Sequence, residues 1–123
     1  MSPLARALAL ALVVFAGCGG AAREAPAAMG PPAAHVTGRE ARELAREGAV
    51  LLDVRSGFEY ALSHLDGAVN IPVDELARRT GELDPDAEIV VYCLSGHRSE
   101  QAGEILTGAG FEHVHDLGSI ANY

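Results

Sequence analysis

Two short apolar runs, residues 49–54 and 89–92, limit the folds that this chain of 123 residues can adopt. Each run is bounded by turn-forming residues, and a continuous apolar run of this length is typical of a strand buried in a parallel sheet. Helical signals separate the two runs from each other and from a later strand-like segment, residues 113–117. Strands that alternate with short helices predict an α/β fold, with a central parallel sheet of about five short strands and helices on both faces.

Helix signals fill the spaces between these strands. Thr37 and Glu40 form a capping-box pattern, which predicts a helix that continues to about Arg46 and ends at Gly48. Three further helical segments are predicted at residues 56–60, 73–80 and 99–109. The apolar faces predicted for the last two are Val73, Leu76 and Ala77, and then Ala102, Ile105, Leu106 and Ala109.

The first 17 residues resemble an export signal of the bacterial lipoprotein type. Ten apolar residues, 7–16, follow Arg6, which is too short a run for a membrane span of about 20 residues. Cys18 stands where lipoproteins are lipidated, so we expect cleavage before Cys18 and a lipid anchor on it, with the protein at the bacterial cell envelope and facing the periplasm or the exterior. Phe15 departs from the aliphatic residue usual in such signals, and simple secretion is the alternative.

The rest of the chain divides into a tether and one domain. Residues 18–34 are rich in Ala, Gly and Pro and lack a periodic apolar pattern, which predicts a semi-extended tether. Residues 35–123 are long enough for one domain with a modest core.

The charge balance argues against nucleic acid as a partner. Nine basic residues, all arginine, stand against 17 acidic ones, for a formal net charge of -8, whereas nucleic-acid binding needs a basic patch. Cys18 and Cys93 are the only cysteines in the sequence, so it offers neither a disulfide framework nor a Cys/His cluster at metal-ligand spacing. His113 and His115 alternate along the last predicted strand, and we interpret them as a solvated or edge face rather than as ligands. No metal and no cofactor are expected.

Cys93 stands where the second apolar run meets a loop and a helix. Open α/β sheets bind ligands at the carboxyl ends of their strands, and backbone N–H groups that lead into a helix form an anion-binding concavity. We expect a thiol in that position to ionise readily, because the helix N-terminus favours its negative charge. A buried, unreactive cysteine is the alternative; the neighbouring Gly96, Arg98 and Ser99 argue against burial.

Three segments together resemble the single-domain rhodaneses, a sulfurtransferase family. They are Asp53-Val54-Arg55 with Glu59, then His64-Leu65-Asp66-Gly67-Ala68-Val69-Asn70-Ile71-Pro72, then Tyr92-Cys93-Leu94-Ser95-Gly96-His97-Arg98-Ser99. Their order and spacing match the family over about residues 36–120. With an export signal, the chain is similar to the small periplasmic members, although Ser119 stands where the family often has a second glycine.

The resemblance implies a rhodanese-like domain that transfers sulfur without a cofactor. The Cys93 thiolate would attack the outer sulfur of thiosulfate, release sulfite and pass the sulfur to cyanide or a thiol. Arg98 would grip the anionic donor, because a guanidinium offers forked donors to sulfonate oxygens. The remaining loop residues would surround the donor: Leu94, Ser95, Gly96, His97 and Ser99. Among these, Gly96 supplies a special backbone angle, and Ser99 either caps the helix or donates into the loop.

Four other positions that match the family are interpreted as structural. Asp53, Arg55 and Glu59 are expected to form an ion-pair and hydrogen-bond network below the loop, because a buried carboxylate must be paired. His64 is expected to brace the turn that follows it.

Two other functions remain open from the sequence. A phosphatase or arsenate reductase also uses a cysteine loop that ends in arginine, but it has five residues between the two, whereas four separate Cys93 from Arg98. A persulfide carrier or partner-binding module would keep Cys93 without efficient thiosulfate turnover. The oligomeric state is not predicted.

Overall fold

The computed structural model describes residues 30–123, which contain one five-stranded sheet. The strands are β1 (Ala34–His35), β2 (Val50–Asp53), β3 (Val69–Asn70), β4 (Ile89–Cys93) and β5 (Val114–Ser119). Their spatial order is β1-β5-β4-β2-β3, and every neighbouring pair is parallel. The predicted α/β class with a parallel sheet is therefore confirmed, and β4, which ends in Cys93, lies at the centre of the sheet.

Four α-helices connect the strands. They are α1 (Gly38–Arg46), α2 (Gly57–Leu62), α3 (Val73–Arg79) and α4 (His97–Gly108), and short 3₁₀ turns follow at Thr80–Glu82 and Ile120–Asn122. The capping box at α1 is confirmed, since the Glu40 amide donates to Thr37 Oγ1 at 3.1 Å and the Thr37 amide donates to the Glu40 carboxylate at 2.9 Å. Within residues 30–123, no helix is long and apolar enough to cross a membrane.

The two faces of the sheet carry separate apolar clusters, because successive side chains of a strand point to opposite sides. On one face, Val54 and Cys93 belong to the cluster that contains Leu76 of α3 and Leu106 of α4. On the other face, Tyr92 belongs to the cluster that contains Ala41 of α1. Cys93 and Tyr92 are neighbours in the chain and therefore belong to different sides of the molecule.

Two predicted apolar faces are partly wrong. Ala77 of α3 and Ala109 at the end of α4 are exposed, whereas Leu76 and Leu106 are buried as predicted. Ala77 follows Leu76 directly and therefore points about 100° away from it around the axis of α3, and Ala109 lies beyond the end of α4 at Gly108.

The first described residues lie against the domain. Residues 30–34 were predicted as the end of the tether, but the Gly30 amide donates to the Thr107 carbonyl at 2.8 Å, Ala33 contacts the core, and Ala34 belongs to β1. The folded part thus begins before the expected boundary at residue 35. The export signal, Cys18 and most of the tether lie outside the described residues.

His113 and His115 both approach one carboxylate. Glu88 lies 2.6 Å from His115 Nε2 and 3.5 Å from His113 Nδ1. The edge-strand part of their interpretation is wrong, because β1 pairs with β5 and makes β5 an inner strand.

Candidate active site

Cys93 ends β4 with its side chain fully buried, at 0% exposure. The prediction that its loop neighbours keep it exposed is therefore wrong. The alternation of β4 places Cys93 on the same face as Val91, towards α4, and the following loop folds back over the sulfur. The Gly96 amide donates to Cys93 Sγ at 2.9 Å, so the sulfur lies under its own loop and receives a backbone hydrogen bond there.

Residues 94–99, which we call the cradle, supply several further N–H groups. Apart from the Gly96 amide, their backbone N–H groups donate to no acceptor among residues 30–123, and α4 has no side-chain cap at its N-terminus. The first amides of any helix lack partners within the helix, and a 12-residue helix such as α4 adds its dipole to them. The cradle is therefore suited to a negative charge on or near Cys93.

Gly96 makes this shape possible. It is the N-cap of α4 and has φ +107°, in the left-handed region that other residues rarely adopt. A Cβ built on Gly96 would meet nothing within 4 Å, so the requirement is one of backbone angle rather than of space. Of the two roles expected for Ser99, the structure shows the second, because Ser99 Oγ donates to the Gly96 carbonyl at 3.0 Å inside the loop.

Arg98 lies in the first turn of α4 and is held by Glu59. Its Nη1 and Nη2 donate to the two carboxylate oxygens of Glu59 at 2.8 and 3.0 Å, across 39 residues of sequence. These hydrogen bonds are the main reason why the pKa of Glu59 falls to about 2 and the pKa of Arg98 rises.

This pairing corrects the expected network. Glu59 was grouped with Asp53 and Arg55, but its carboxylate bonds to Arg98 and, within its own capping box, to the Ser56 amide at 3.1 Å. Neither its distance in sequence from Arg98 nor any local periodicity signals the contact. The Ser56-to-Glu59 spacing could have indicated a capping box, but not the second partner.

Asp53 and Arg55 form a buried pair on the sheet face opposite Cys93. The Arg55 amide and Nε donate to the Asp53 carboxylate at 2.9 and 3.0 Å, Nη2 at 2.7 Å, and Nη2 also donates to the Ser63 carbonyl at 2.6 Å. The Arg55 guanidinium lies 5.7 Å from the ring centroid of Tyr92, and the Tyr92 hydroxyl accepts from the Leu65 amide. Burial raises the pKa of that hydroxyl. The pair thus ties β2 to the segment after α2, next to the strand that carries Cys93.

His64 contacts the end of α2. Its Nδ1 lies 2.8 Å from the Tyr60 carbonyl oxygen, and its ring stacks on the Tyr60 ring with centroids 3.7 Å apart. The imidazole is not in the cradle, and its contacts hold the turn that follows α2.

A cavity of about 380 Å³ opens beside Arg98. Val54 and Val73 line it and also contact the apolar cluster that contains Cys93, and Asp74 and Glu75 add two carboxylates. No pattern in the sequence marks these acidic residues as part of a site, because acids in the first turn of a helix are common for electrostatic reasons alone. A larger cavity, of about 520 Å³, is lined by later residues of α4 and by the N-terminal segment, and no residue of the cradle borders it.

No group of three or more His, Cys, Asp or Glu side chains among residues 30–123 could hold a metal ion. What the described part of the site offers is a thiol, backbone amides and one paired guanidinium. This set suits nucleophilic chemistry on a small anion.

Comparison with known proteins gives a consistent match. The family profile described as "Rhodanese-like domain" matches residues 37–123. The thiosulfate sulfurtransferase PspE of Escherichia coli is 39% identical over 71 residues, which are 56% of this chain and 68% of PspE. A putative sulfur carrier protein of Bacillus subtilis, YrkF, is 41% identical over 68 residues, 55% of this chain but only 37% of YrkF. The solved human single-domain sulfurtransferase TSTD1 superposes with a TM-score of 0.61 at 29% identity, covering 76% of this chain and 93% of that one.

Proposed function

The chain belongs to the rhodanese-like domain family, and from that membership we propose that it is a sulfurtransferase that works through a persulfide on Cys93. The observation that carries the proposal is the surroundings of the Cys93 sulfur. It accepts the Gly96 N–H at 2.9 Å and lies beneath amides that have no other acceptor in the described part of the chain. These donors can stabilise both a thiolate and a persulfide, because each carries one negative charge.

In the proposed reaction the Cys93 thiolate attacks the outer sulfur of thiosulfate. The new S–S bond forms as the bond to the sulfonate sulfur breaks, so sulfite leaves with its electron pair and Cys93 becomes Cys93-S-S⁻. Cyanide or a thiolate then attacks the terminal sulfur, takes it and regenerates the Cys93 thiolate. No general base is required once the thiol is ionised, and the cradle provides the charge stabilisation in both steps.

The burial of Cys93 adds a requirement for the donor. Because the sulfur has no exposed surface, the loop has to move locally to admit the reacting atom. Leu94, Ser95 and His97 are the exposed residues of the cradle, and their side chains make no hydrogen bond among residues 30–123. A single sulfur atom needs less displacement than a tetrahedral phosphate, which favours sulfur transfer over the phosphatase alternative.

Sulfur carriage is the second candidate. The similarity to the putative sulfur carrier protein YrkF favours it, as do the hydrogen bonds from Arg98 to Glu59. A carrier would accept sulfur on Cys93 from a protein donor and turn thiosulfate over slowly.

Intact mass spectrometry tests the proposal. Thiosulfate treatment is expected to add one sulfur atom to the protein, and cyanide is expected to remove it with formation of thiocyanate. The Cys93→Ser variant should take up no sulfur, and Arg98→Ala should mainly raise the KM for thiosulfate. A wild-type protein that gains no sulfur from thiosulfate but does so from a protein persulfide would favour the carrier. Hydrolysis of an aryl phosphate without any adduct would favour the phosphatase.

We also propose that Cys18 anchors the protein to the bacterial cell envelope after cleavage of residues 1–17. The apolar run at residues 7–16 and the cysteine that follows it support this proposal. Because Gly30 is already bonded to the domain, only the twelve residues 18–29 could span the distance to a membrane, at most about 40 Å. Mass spectrometry of the mature N-terminus should find a diacylated Cys18; an unmodified, soluble product would contradict the anchor.

A further inference from the structure

Glu59 occupies the forked donors of the only arginine in the cradle. Both terminal nitrogens of Arg98 donate to its carboxylate, at 2.8 and 3.0 Å. The Ser56 amide and hydroxyl also donate to that carboxylate, at 3.1 and 3.0 Å, so its position is fixed from two sides. A guanidinium engaged in this way has used the forked edge formed by its two terminal nitrogens, and its remaining N–H groups could bind a sulfonate only beside the Glu59 carboxylate.

We propose that Glu59 sets the charge of the sulfur donor that the site accepts, favouring monoanionic sulfane donors over dianionic thiosulfate. This inference rests on the proposed sulfurtransferase function and names the substrate class of the same site. A donor that carries a sulfonate has to displace Glu59 from Arg98 or bind beside a carboxylate. The repulsion between that carboxylate and the donor scales with donor charge, so it is about twice as large for a dianion as for a monoanion.

The surroundings of Arg98 reinforce this charge selection. Asp74 lines the cavity beside its guanidinium and adds further negative charge, whereas the carboxylate of Glu75, which also lines this cavity, is paired with Arg79. Arg55, the other arginine near this end of the sheet, is bonded to Asp53 on the opposite face and is not available to a donor. Positive charge for a donor therefore comes from Arg98 and the cradle amides, and the Glu59 carboxylate neutralises the charge of Arg98.

Two donors that offer the same kind of sulfane sulfur but carry different charges can test the proposal. Thiosulfate and the benzenethiosulfonate anion each offer a terminal sulfane sulfur to the Cys93 thiolate. In both cases the sulfane sulfur bonds to Cys93 and its bond to the leaving group breaks. Thiosulfate releases the sulfite dianion and benzenethiosulfonate releases the benzenesulfinate monoanion, so the product in each reaction is the same Cys93 persulfide and the total charge is conserved.

The variant is Glu59→Gln, which removes the charge but keeps a side chain that can complete the capping box with Ser56. The rate constant for loading of sulfur onto Cys93 is measured for each donor by intact mass at quenched times. Glu59→Gln is expected to raise the thiosulfate-to-benzenethiosulfonate ratio of these rate constants about tenfold, and added salt should shrink the change. Glu59→Asp, which keeps the charge, should keep the wild-type ratio within about threefold.

The matched control is Glu40→Gln, which removes the carboxylate of the other capping box, at α1 on the face of the sheet opposite Cys93. Its ratio should equal that of the wild type. A Glu59→Gln ratio that is unchanged, or equal slowing with both donors, would overturn the selection of donor charge and leave Glu59 as a positioning residue for the loop. If wild-type Cys93 takes sulfur from neither donor, the proposed function itself fails, and this inference fails with it.

Discussion

Two arginine–carboxylate pairs lie near the carboxyl end of the central strands. They differ in how deeply each arginine is buried and in how many hydrogen bonds hold it. The Asp53 and Arg55 side chains are 0% and 6% exposed, and Arg55 makes several hydrogen bonds to its partner and one to a backbone carbonyl. The Glu59 and Arg98 side chains are 27% and 33% exposed and share two hydrogen bonds. The first arginine can only hold the fold together, whereas the second can exchange its partner for a ligand.

The largest expected effect is on stability, from breaking the buried pair. Asp53→Asn leaves the Arg55 charge without a counter-charge in the interior and should lower the free energy of unfolding by about 3–5 kcal/mol. Urea denaturation followed by circular dichroism measures it.

A double variant controls for simple misfolding. Asp53→Leu with Arg55→Met removes both charges and should recover most of the loss, because an apolar pair of similar volume has no desolvation penalty. If the double variant is as unstable as Asp53→Asn, the unpaired charge is not the cause, and the contrast between the two pairs loses its basis.

The next largest expected effect is on catalysis, from breaking the Glu59–Arg98 pair. Arg98→Ala removes the charged donors and leaves the Glu59 carboxylate uncompensated beside the cradle, so the KM for thiosulfate should rise about tenfold or more. Stability should fall by no more than about 1 kcal/mol, since the pair is partly exposed. Steady-state thiocyanate formation and urea denaturation give the two numbers.

A double-mutant cycle separates the two charges. Adding Glu59→Gln to Arg98→Ala should lower the KM again, because it removes the carboxylate left behind. A KM that stays high in the double variant would mean that Glu59 acts on Arg98 alone and exerts no repulsion on the donor.

Gly96→Ala should have an effect of intermediate size. It should disturb the turn that carries Arg98 and leave the Asp53–Arg55 pair unchanged. A side chain at φ +107° costs about 1–2 kcal/mol, and the strain lies between the Cys93 sulfur and the first turn that carries Arg98. We expect a loss of stability of that size and slower sulfur loading. Ala substitution at Gly108, a helical glycine with nothing within 4 Å of a built Cβ, is the control and should not slow loading. Normal loading in Gly96→Ala would mean that the loop tolerates another backbone angle.

The sequence predicted the strands and helices around the site better than the side-chain contacts within it. The apolar runs, the capping box and the end of α1 near Arg46 depend on neighbours close in sequence, and all three were correct. The start of α4 was placed at Ser99, a good capping residue, whereas the helix begins at His97 because Gly96 caps it without a side chain.

The errors at the site have a different origin. Loop composition suggested that Cys93 is exposed, but the two-residue period of β4 turns its side chain inward, and the loop closes over it. The pairing of Glu59 with Arg98 depends on how two helices 39 residues apart meet, which no local pattern encodes. Local signals thus placed the cysteine at the right strand end, while its burial and the partner of its arginine required the tertiary structure.

The smallest expected effect is the pH dependence of the exposed pair. Hydrogen bonds from Arg98 hold the pKa of Glu59 at about 2 in the folded protein, below the ordinary value of 4.5 that it regains on unfolding. Because the folded pKa is the lower one, the pair stabilises the fold fully above about pH 4.5, and this contribution disappears as the pH falls towards 2. Contact with water limits it to about 1 kcal/mol. Urea denaturation should therefore find wild type more stable than Glu59→Gln at pH 7 by up to that amount, with the difference shrinking between pH 4.5 and 2. A difference that persists unchanged at pH 2 would show that the charge of Glu59 contributes nothing, and the second pair would then be held by packing and not by its ions.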